Sequence, residues 1–474
     1  MNLAIEKLNK KFESYYYSRL YLYATGAVVL LSGLFGLEVL AFYYVVANLV
    51  ISSIFCRSTK PAVMLVISTV FAVSYRHYPS VNNPSETEKS FLSSPFMLGT
   101  IIFLAIVCVA SFFAHLIIYK KFSDVFKKPK RLSSGLIFFA ITLLFNGFGF
   151  EGYTIKNLWF AAAEAFAFLF IYFYFIATLS DEDSGFEYFC HASAVSLLIV
   201  FIEVSVKFFG AAYGKEFVNK GDIFLGWGVS NNIGVIFVLT MPACAYLAIK
   251  SKNALHGFVY FSLVSLGAFG TLFSLSRGSI LTAVAVLITI AVYVLIKKRS
   301  DKKIMFSLVA VVIASLILTL SVWGLIPKFF DFLLKTKMDD RGRFELWEIG
   351  FKWFMKSPAF GVGFGYDDSS FAKNFFFGLI TFHNTPIQLL ATCGLFGLSG
   401  YIVMRAQTIM LFIEKPNEPR YFMAVAVGAL IVNSLLDNHI FYFYPMFFYM
   451  FNLIYAERDL NIAVFNSPLY TPER

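Results

Sequence analysis

The feature that most constrains this chain is one length, repeated. Apolar stretches of about 20 residues follow one another from Leu20 to Ala456, separated by short polar breaks. A helix needs about 20 apolar residues to cross the hydrocarbon of a bilayer. Inside that hydrocarbon only helices and closed barrels satisfy their own backbone. The sequence offers fourteen such spans, near residues 20–36, 38–55, 61–76, 95–119, 134–150, 158–178, 187–209, 225–249, 255–275, 278–296, 304–325, 384–404, 421–436 and 441–456. Charged residues make up 14% of the chain, against about 25% in a soluble domain. The expected fold is therefore all-α, a polytopic transmembrane helix bundle of about 12–14 spans.

The organisation follows from those spans. Residues 1–19 form an N-terminal tail, 20–325 the first eleven spans, 326–382 one long hydrophilic loop, 383–456 the last three spans, and 457–474 a C-terminal tail. The opening MNLAIEKLNKKFESYYYSR is polar and basic and lacks the pattern of a cleavable signal peptide. The five cysteines lie in or beside apolar spans without paired spacing, which argues against a disulfide framework or a zinc site. The net charge of +10 sits in short loops between spans, so it does not point to nucleic acid.

Orientation is set by Lys and Arg in the short loops. Placing KKFSDVFKKPKR (Lys120 to Arg131) and KKRSDKK (Lys297 to Lys303) in the cytoplasm puts 24 of the 39 basic residues inside. Eight of the others lie in the long loop, which is largely exempt from the rule. Both termini are then cytoplasmic, and the long loop faces outward.

Polar residues gather on that outer side. Arg277 is the only Asp, Glu, Lys or Arg between Leu255 and Ile296, and a charge in hydrocarbon costs at least about 2.5–3.5 kcal/mol. It falls between two spans, in SLSRGS. In the long loop, Phe344, Trp347, Phe351 and Phe354 recur at helical spacing, with Glu348 and Lys352 as an i,i+4 pair. This predicts an amphipathic helix, capped by Asp339 or Asp340, whose aromatic face lies on the membrane or the bundle. Arg341 and Arg343 stand at its first turn, where backbone N–H groups favour an anion. Pro358 and GVGFG follow. No GK[ST] accompanies these glycines, which predicts a tight turn rather than a nucleotide loop. His383 and Asn384 open the next span, and Gly394 and Gly397 suit close helix packing. Asp437, Asn438 and His439 fall on the same face. His439, Asp437 and His383 lack the spacing of metal ligands.

Taken together, S-x-S-R-G (Ser274 to Gly278), R-x-x-x-W-x-x-G (Arg343 to Gly350), P-x-x-G-x-G (Pro358 to Gly363), His383-Asn384 and G-L-x-G (Gly394 to Gly397) resemble the O-antigen ligase and polymerase superfamily. The resemblance covers about the last half of the chain. It implies glycan transfer at the outer face of a bacterial inner membrane, without metal or nucleotide cofactor. The donor would be a glycan on undecaprenyl diphosphate. The acceptor would be a hydroxyl of another glycan or of lipid A-core, and a chain-length regulator is a possible partner. By the same resemblance Arg277 and Arg343 would hold the diphosphate and His383 would activate the acceptor. Lys220 would supply a further basic group, and Asp437 matches an acidic position.

The chemistry agrees with those residue types. A departing diphosphate gathers negative charge. Arginine presents a fixed fork of donors that binds phosphate bidentately. Histidine takes up and releases a proton near neutral pH. Asp437 can orient His383 or bind sugar hydroxyls, as can Asn384 and His439, and Tyr366, Phe376, Phe382 and Tyr442 can stack on sugar faces. The plainer readings are lipid-phosphate binding for Arg277, solvation of a helix by Arg341, and helix-end hydrogen bonding for His383. Within the transferase reading a repeat-unit polymerase is favoured over a ligase. The outer loop's eight basic and seven acidic residues nearly balance, whereas a phosphate-rich lipid A acceptor suits a more basic mouth. The competing class is a flippase of lipid-linked glycan, but transporters place polar groups and broken helices near the midplane.

Overall fold

The structure, a computed structural model, describes residues 2–71, 95–128, 131–179, 184–212, 218, 220–225, 227–321, 342–366 and 382–465. Helices account for nearly all of it. In chain order they are α1 (Asn2–Tyr16), α2 (Arg19–Phe35), α3 (Glu38–Phe55), α4 (Lys60–Phe71), α5 (Pro95–Ile118), α6 (Phe122–Lys127), α7 (Ser133–Leu144), α8 (Ile155–Thr178) and α9 (Ser184–Ala212). Then follow α10 (Ser230–Lys250), α11 (Ala254–Phe273), α12 (Arg277–Lys297), α13 (Lys302–Ser321), α14 (Arg343–Lys356), α15 (Thr385–Ile413), α16 (Glu418–Asn433) and α17 (Phe443–Phe465). A two-residue antiparallel ladder, β1 (Phe224–Leu225) with β2 (Gly228–Val229), leads into α10.

Each of the fourteen expected spans meets a helix. Among the described residues, eight helices are long and apolar enough to cross a membrane: α3, α8, α9, α10, α11, α12, α13 and α15. The pair α1 and α2, bent by 62°, makes a ninth if counted as one span. The chain is a multi-pass, all-α membrane protein. The stretch before residue 20 is not loose tail. Phe12 of α1 stacks on Phe55 of α3 with ring centroids 4.5 Å apart, and Tyr16 donates to Asn48 Oδ1.

The chain folds as two compact units. One comprises Met1–Asp124 with Thr178–Leu333, the other Val125–Ala177 with Leu334–Arg474. In the first, α10 is the enclosed helix, and α9, α11 and α12 pack around it. Small residues allow the approach, as is usual where lipid supplies no hydrophobic drive between helices. A Cβ at Gly270 of α11 would lie 2.4 Å from the ring of Phe237, and one at Gly267 would lie 2.7 Å from Met241. The opposite case is α13, where Phe306, Val309, Ile313, Leu316 and Leu320 are exposed. An apolar helix with a bare apolar face is one that meets lipid.

In the second unit α15 is central and packs on α7, α14, α16 and α17. Its buried charge meets two aromatic rings. The Arg405 guanidinium lies 4.6 Å from the ring of Tyr401 and 5.0 Å from that of Tyr449, and donates to the Tyr449 hydroxyl. Glu457 of α17 is buried and receives the N–H groups of Arg131 and Leu132, at the start of α7, and the Tyr172 hydroxyl. A carboxylate at a helix start meets the positive end of the helix dipole.

Candidate functional site

A cluster of polar groups in the second unit lies where α15 begins. Asn384 caps that helix: its side-chain oxygen accepts from Ile387 N–H at 3.0 Å, and its Nδ2 donates to Leu435 O at 2.9 Å. Thr385 N–H donates to Ser434 O at 2.9 Å. These bonds lace the start of α15 to the end of α16. They thereby bring residues 54 apart in sequence together. His383 Nδ1 lies 3.0 Å from Asp437 Oδ1. The carboxylate can only accept, so Nδ1 carries the hydrogen and Nε2 is left as the basic nitrogen. Asp437 is 5% exposed at its side chain and His383 34%. Asp437 Oδ1 also accepts the Asn438 N–H at 2.8 Å. His383 sits at φ 50°, in the left-handed region, which non-glycine residues occupy only when their surroundings hold them there.

Two further side chains grip the backbone of the residue just before it. Gln388 Oε1 accepts from Phe382 N–H at 3.1 Å and from Asn438 Nδ2 at 2.8 Å. The indole N–H of Trp347, on α14, donates to Phe382 O at 2.9 Å.

The motif glycines have a structural task. At Gly394, φ 64° and ψ −160° break α15. The segment from Pro358 to Gly363 is hydrogen-bonded into the break. Val362 and Gly363 N–H donate to Ala391 and Thr392 O, both at 2.9 Å, while Leu395 and Phe396 N–H donate to Pro358 and Ala359 O. Phe364 N–H donates to Asn146 Oδ1 at 3.0 Å. There is no room for a side chain: a Cβ at Gly361 would lie 2.3 Å from the Thr392 carbonyl carbon, and one at Gly363 would lie 1.7 Å from Asn157 Nδ2. The tight-turn reading of GVGFG is thus refined. The turn docks on a broken helix, and the glycines approach protein rather than phosphate.

The helix expected in the long loop is α14. Its aromatic face divides. Gly350 and Trp353 are buried, with Leu346 and Trp347 packed beside them against Phe382, Ile387 and Ala391, whereas Phe344, Phe351 and Met355 are exposed. Glu348 and Lys352 pair at 2.7 Å, which holds the Glu348 carboxyl below its usual range. Arg343 is the first residue of α14, after Gly342 at φ 73°. Arg341, Asp339, Asp340 and Phe376 lie outside the described residues.

In the first unit, SLSRGS forms the break between α11 and α12. Leu275 has φ 56°, Ser276 caps α12, and Arg277 is its first residue. Ser230 Oγ donates to Ser274 O. A Cβ at Gly234 would lie 2.5 Å from Ser279 Oγ, so α10 and the turn are in direct contact. Lys220 comes to the same place. Its Nζ donates to Asn231 Oδ1, which also accepts from Ser276 Oγ at 3.1 Å. Lys220 and the turn that presents Arg277 therefore share one acceptor.

The structure thus joins His383, Asn384 and Asp437 in one unit, with Arg343 on the helix that packs beside them. It joins Lys220 to the Arg277 turn in the other. His439 is fully buried in a short 3₁₀ turn, its ring 6.3 Å from that of Tyr442. Phe382 is also fully buried, edge-on to Trp353 at 5.3 Å, and offers no face to a sugar. Sequence reading missed Asn231, Gln388 and the indole N–H of Trp347. Asn231 and Gln388 carried one signal, an amide side chain within the first turn of an apolar span.

Residues 261–402 match the family model described as O-antigen ligase. No curated protein matches the chain. The match takes in SLSRGS, α14, the docked glycine turn and the His383-Asn384 start of α15. It supports the O-antigen ligase and polymerase superfamily, and a glycosyltransferase-like role in membrane glycan assembly.

Proposed function

We propose, from the match of residues 261–402 to an O-antigen ligase model and from the histidine–aspartate pair at the start of α15, that this protein is a surface-polysaccharide repeat-unit polymerase. The donor is a growing glycan on undecaprenyl diphosphate, and the acceptor is a hydroxyl of the next lipid-linked unit. His383 Nε2 takes the acceptor's proton, and Asp437 holds the ring by Nδ1 and stabilises the cation that forms. The acceptor oxygen bonds to the anomeric carbon as the bond from that carbon to the diphosphate oxygen breaks. The electron pair leaves with the lipid diphosphate. Attack opposite the leaving group inverts the centre. Arg277 and Arg343 bind the diphosphate through paired N–H groups, with Lys220 as a point charge and Arg341 as a further basic group. This requires no metal, since the developing charge falls on guanidinium and ammonium groups. Asn384 and His439 complete the set, Asn384 by capping the helix whose first turn follows His383. The reaction belongs at the outer face of an inner membrane, with both termini in the cytoplasm.

The observation that carries this reading is the 3.0 Å contact between His383 and Asp437. The family description favours a second reading, a ligase that moves finished polymer to lipid A-core. A size profile of surface and lipid-linked glycan in a deletion strain, complemented with wild type or Arg277→Ala, separates the two. A polymerase leaves single repeat units in the deletion, and Arg277→Ala fails to restore chains. A ligase leaves full-length polymer on the lipid carrier. Movement of lipid-linked sugar across proteoliposomes without transfer would instead mark a flippase.

A further inference from the structure

We propose that Gln388 and Trp347 are positioning residues for this reaction, acting on His383 through the backbone of Phe382. The inference rests on the reading of His383 as the base. It starts from the backbone. His383 has φ 50°, a conformation uncommon for a non-glycine residue and here held by its neighbours. Leaving it would swing the imidazole away from Asp437. The residue on its N-terminal side is held at both of its backbone polar atoms, one in each of the two peptides that flank it, and by side chains rather than by secondary structure. Gln388 Oε1 receives the Phe382 N–H, and Trp347 Nε1–H donates to the Phe382 carbonyl. The Phe382 ring is fully buried against Trp353. A Cβ at Gly350 would lie 2.7 Å from Ile387 and 3.2 Å from the Phe382 ring. The residue before His383 is therefore fixed in position and in rotation.

The same amide oxygen also references the partner of the base. Gln388 Oε1 receives Asn438 Nδ2 at 2.8 Å, and the Asn438 N–H donates to Asp437 Oδ1, the oxygen that meets His383 Nδ1. Phe382, Gln388, Asn438, Asp437 and His383 form a closed circuit. Gln388 is 4% exposed. Burying an amide is unfavourable unless it is fully used, and a leucine there would serve packing alone at less cost. What the amide adds is geometry. Trp347 extends the arrangement to α14. Arg343 lies one turn before it on that helix, so the indole bond sets the position of the helix carrying Arg343 against the His383 segment.

The test uses the full chain in lipid nanodiscs. The substrate is the undecaprenyl-diphosphate-linked repeat unit isolated from a strain deleted for this gene, and chain growth is followed by gel and by released lipid diphosphate. Trp347→Phe keeps an aromatic ring and removes the N–H. Gln388→Met keeps the volume and removes the acceptor, and Gln388→Glu restores an acceptor oxygen. Misplacing a reacting group by about 1 Å costs up to about 10²-fold. We expect kcat to fall about tenfold or more in Trp347→Phe and further in Gln388→Met, with donor KM within about twofold in Gln388→Met and the fold intact in both. Gln388→Glu should keep more kcat than Gln388→Met. Wild-type kcat in both Trp347→Phe and Gln388→Met would overturn the proposal. So would a loss that only tracks the fraction of folded protein. If His383→Asn itself keeps wild-type kcat, the base reading fails first and the positioning role falls with it. If His383→Asn is inactive while the other two variants are normal, only the positioning role is lost.

Discussion

At the scale of single residues, the candidate site is a matter of which nitrogen bears a proton. Asp437 accepts from His383 Nδ1, so Nε2 is the atom that can take a proton from a sugar hydroxyl. Asp437→Asn leaves a side chain of the same shape but lets an amide N–H face Nδ1. That favours the opposite tautomer and removes the charge that stabilises imidazolium. The expected loss is roughly 10²–10⁴-fold in kcat, with protein level unchanged, as measured by chain growth from lipid-linked units. His383→Asn tests the backbone separately from the chemistry. Asparagine tolerates positive φ better than most residues, so this variant should fold like wild type, with the same melting profile in detergent, and make no polymer. Arg277→Lys retains charge but not the planar fork. If bidentate binding of diphosphate is its role, donor KM should rise several-fold. Unchanged KM would leave Arg277 as a lipid-facing interface residue. Arg277 could be singled out in the sequence because charge is rare within apolar runs, Arg343 because it stands in the first turn of an amphipathic helix, and His383 because it opens a span. Gln388 and Asn231 could not, because an amide shows its role only through partners 6 to 50 residues away.

At the scale of elements, helices could be read from the sequence and interruptions could not. Hydropathy put each of the fourteen expected spans on a helix, because the length of an apolar run is a local property, although among the described residues eight of those helices are long and apolar enough to cross a membrane. The break in α15 is not local. Gly394 opens the helix, and the freed carbonyls and N–H groups are taken up by the turn at Pro358 to Gly363, more than thirty residues upstream. Glycine was visible in both motifs, but the hydrogen bonds that join them were not. The same holds for α14, whose aromatic spacing was clear although the division of its face was not. The packing of Gly350 against Ile387 and of Trp353 against Phe382 decides which side faces α15. A substitution at the break should therefore be severe. Gly394→Ala would hold an L-residue at φ 64° and ψ −160°, a region essentially reserved for glycine and costing of order 1–3 kcal/mol. Its Cβ would also lie 2.4 Å from Ala359 O. We expect a clear drop in thermal midpoint in detergent and loss of chain growth. Gly428→Ala in α16, where an added Cβ meets nothing within 4 Å, should leave the midpoint unchanged.

At the scale of the whole molecule, class and topology rest on different physics. Class follows from the scarcity of charge over long runs and is visible in the helices themselves. Topology follows from where the remaining charge is placed, and helices alone do not reveal it, since a bundle inserted either way up has the same internal contacts. The basic-loop asymmetry is therefore a prediction about orientation. The chain offers a clean way to test it. Of its five free cysteines four are buried and one is half-buried, so background labelling by a polar maleimide should be low. Lys352 is exposed on α14, and Arg299 is exposed in the basic connection between α12 and α13. Lys352→Cys should react with a membrane-impermeant maleimide in cells whose outer barrier has been opened, and Arg299→Cys only after the inner membrane is lysed. That outcome places α14 and the basic loop on opposite sides, with the long loop outward. The reverse pattern would put α14 and its Arg343 in the cytoplasm. The resemblance to outward-facing transfer from a lipid diphosphate would then have to be abandoned for a chemistry with cytoplasmic donors, whatever the activity of the site variants.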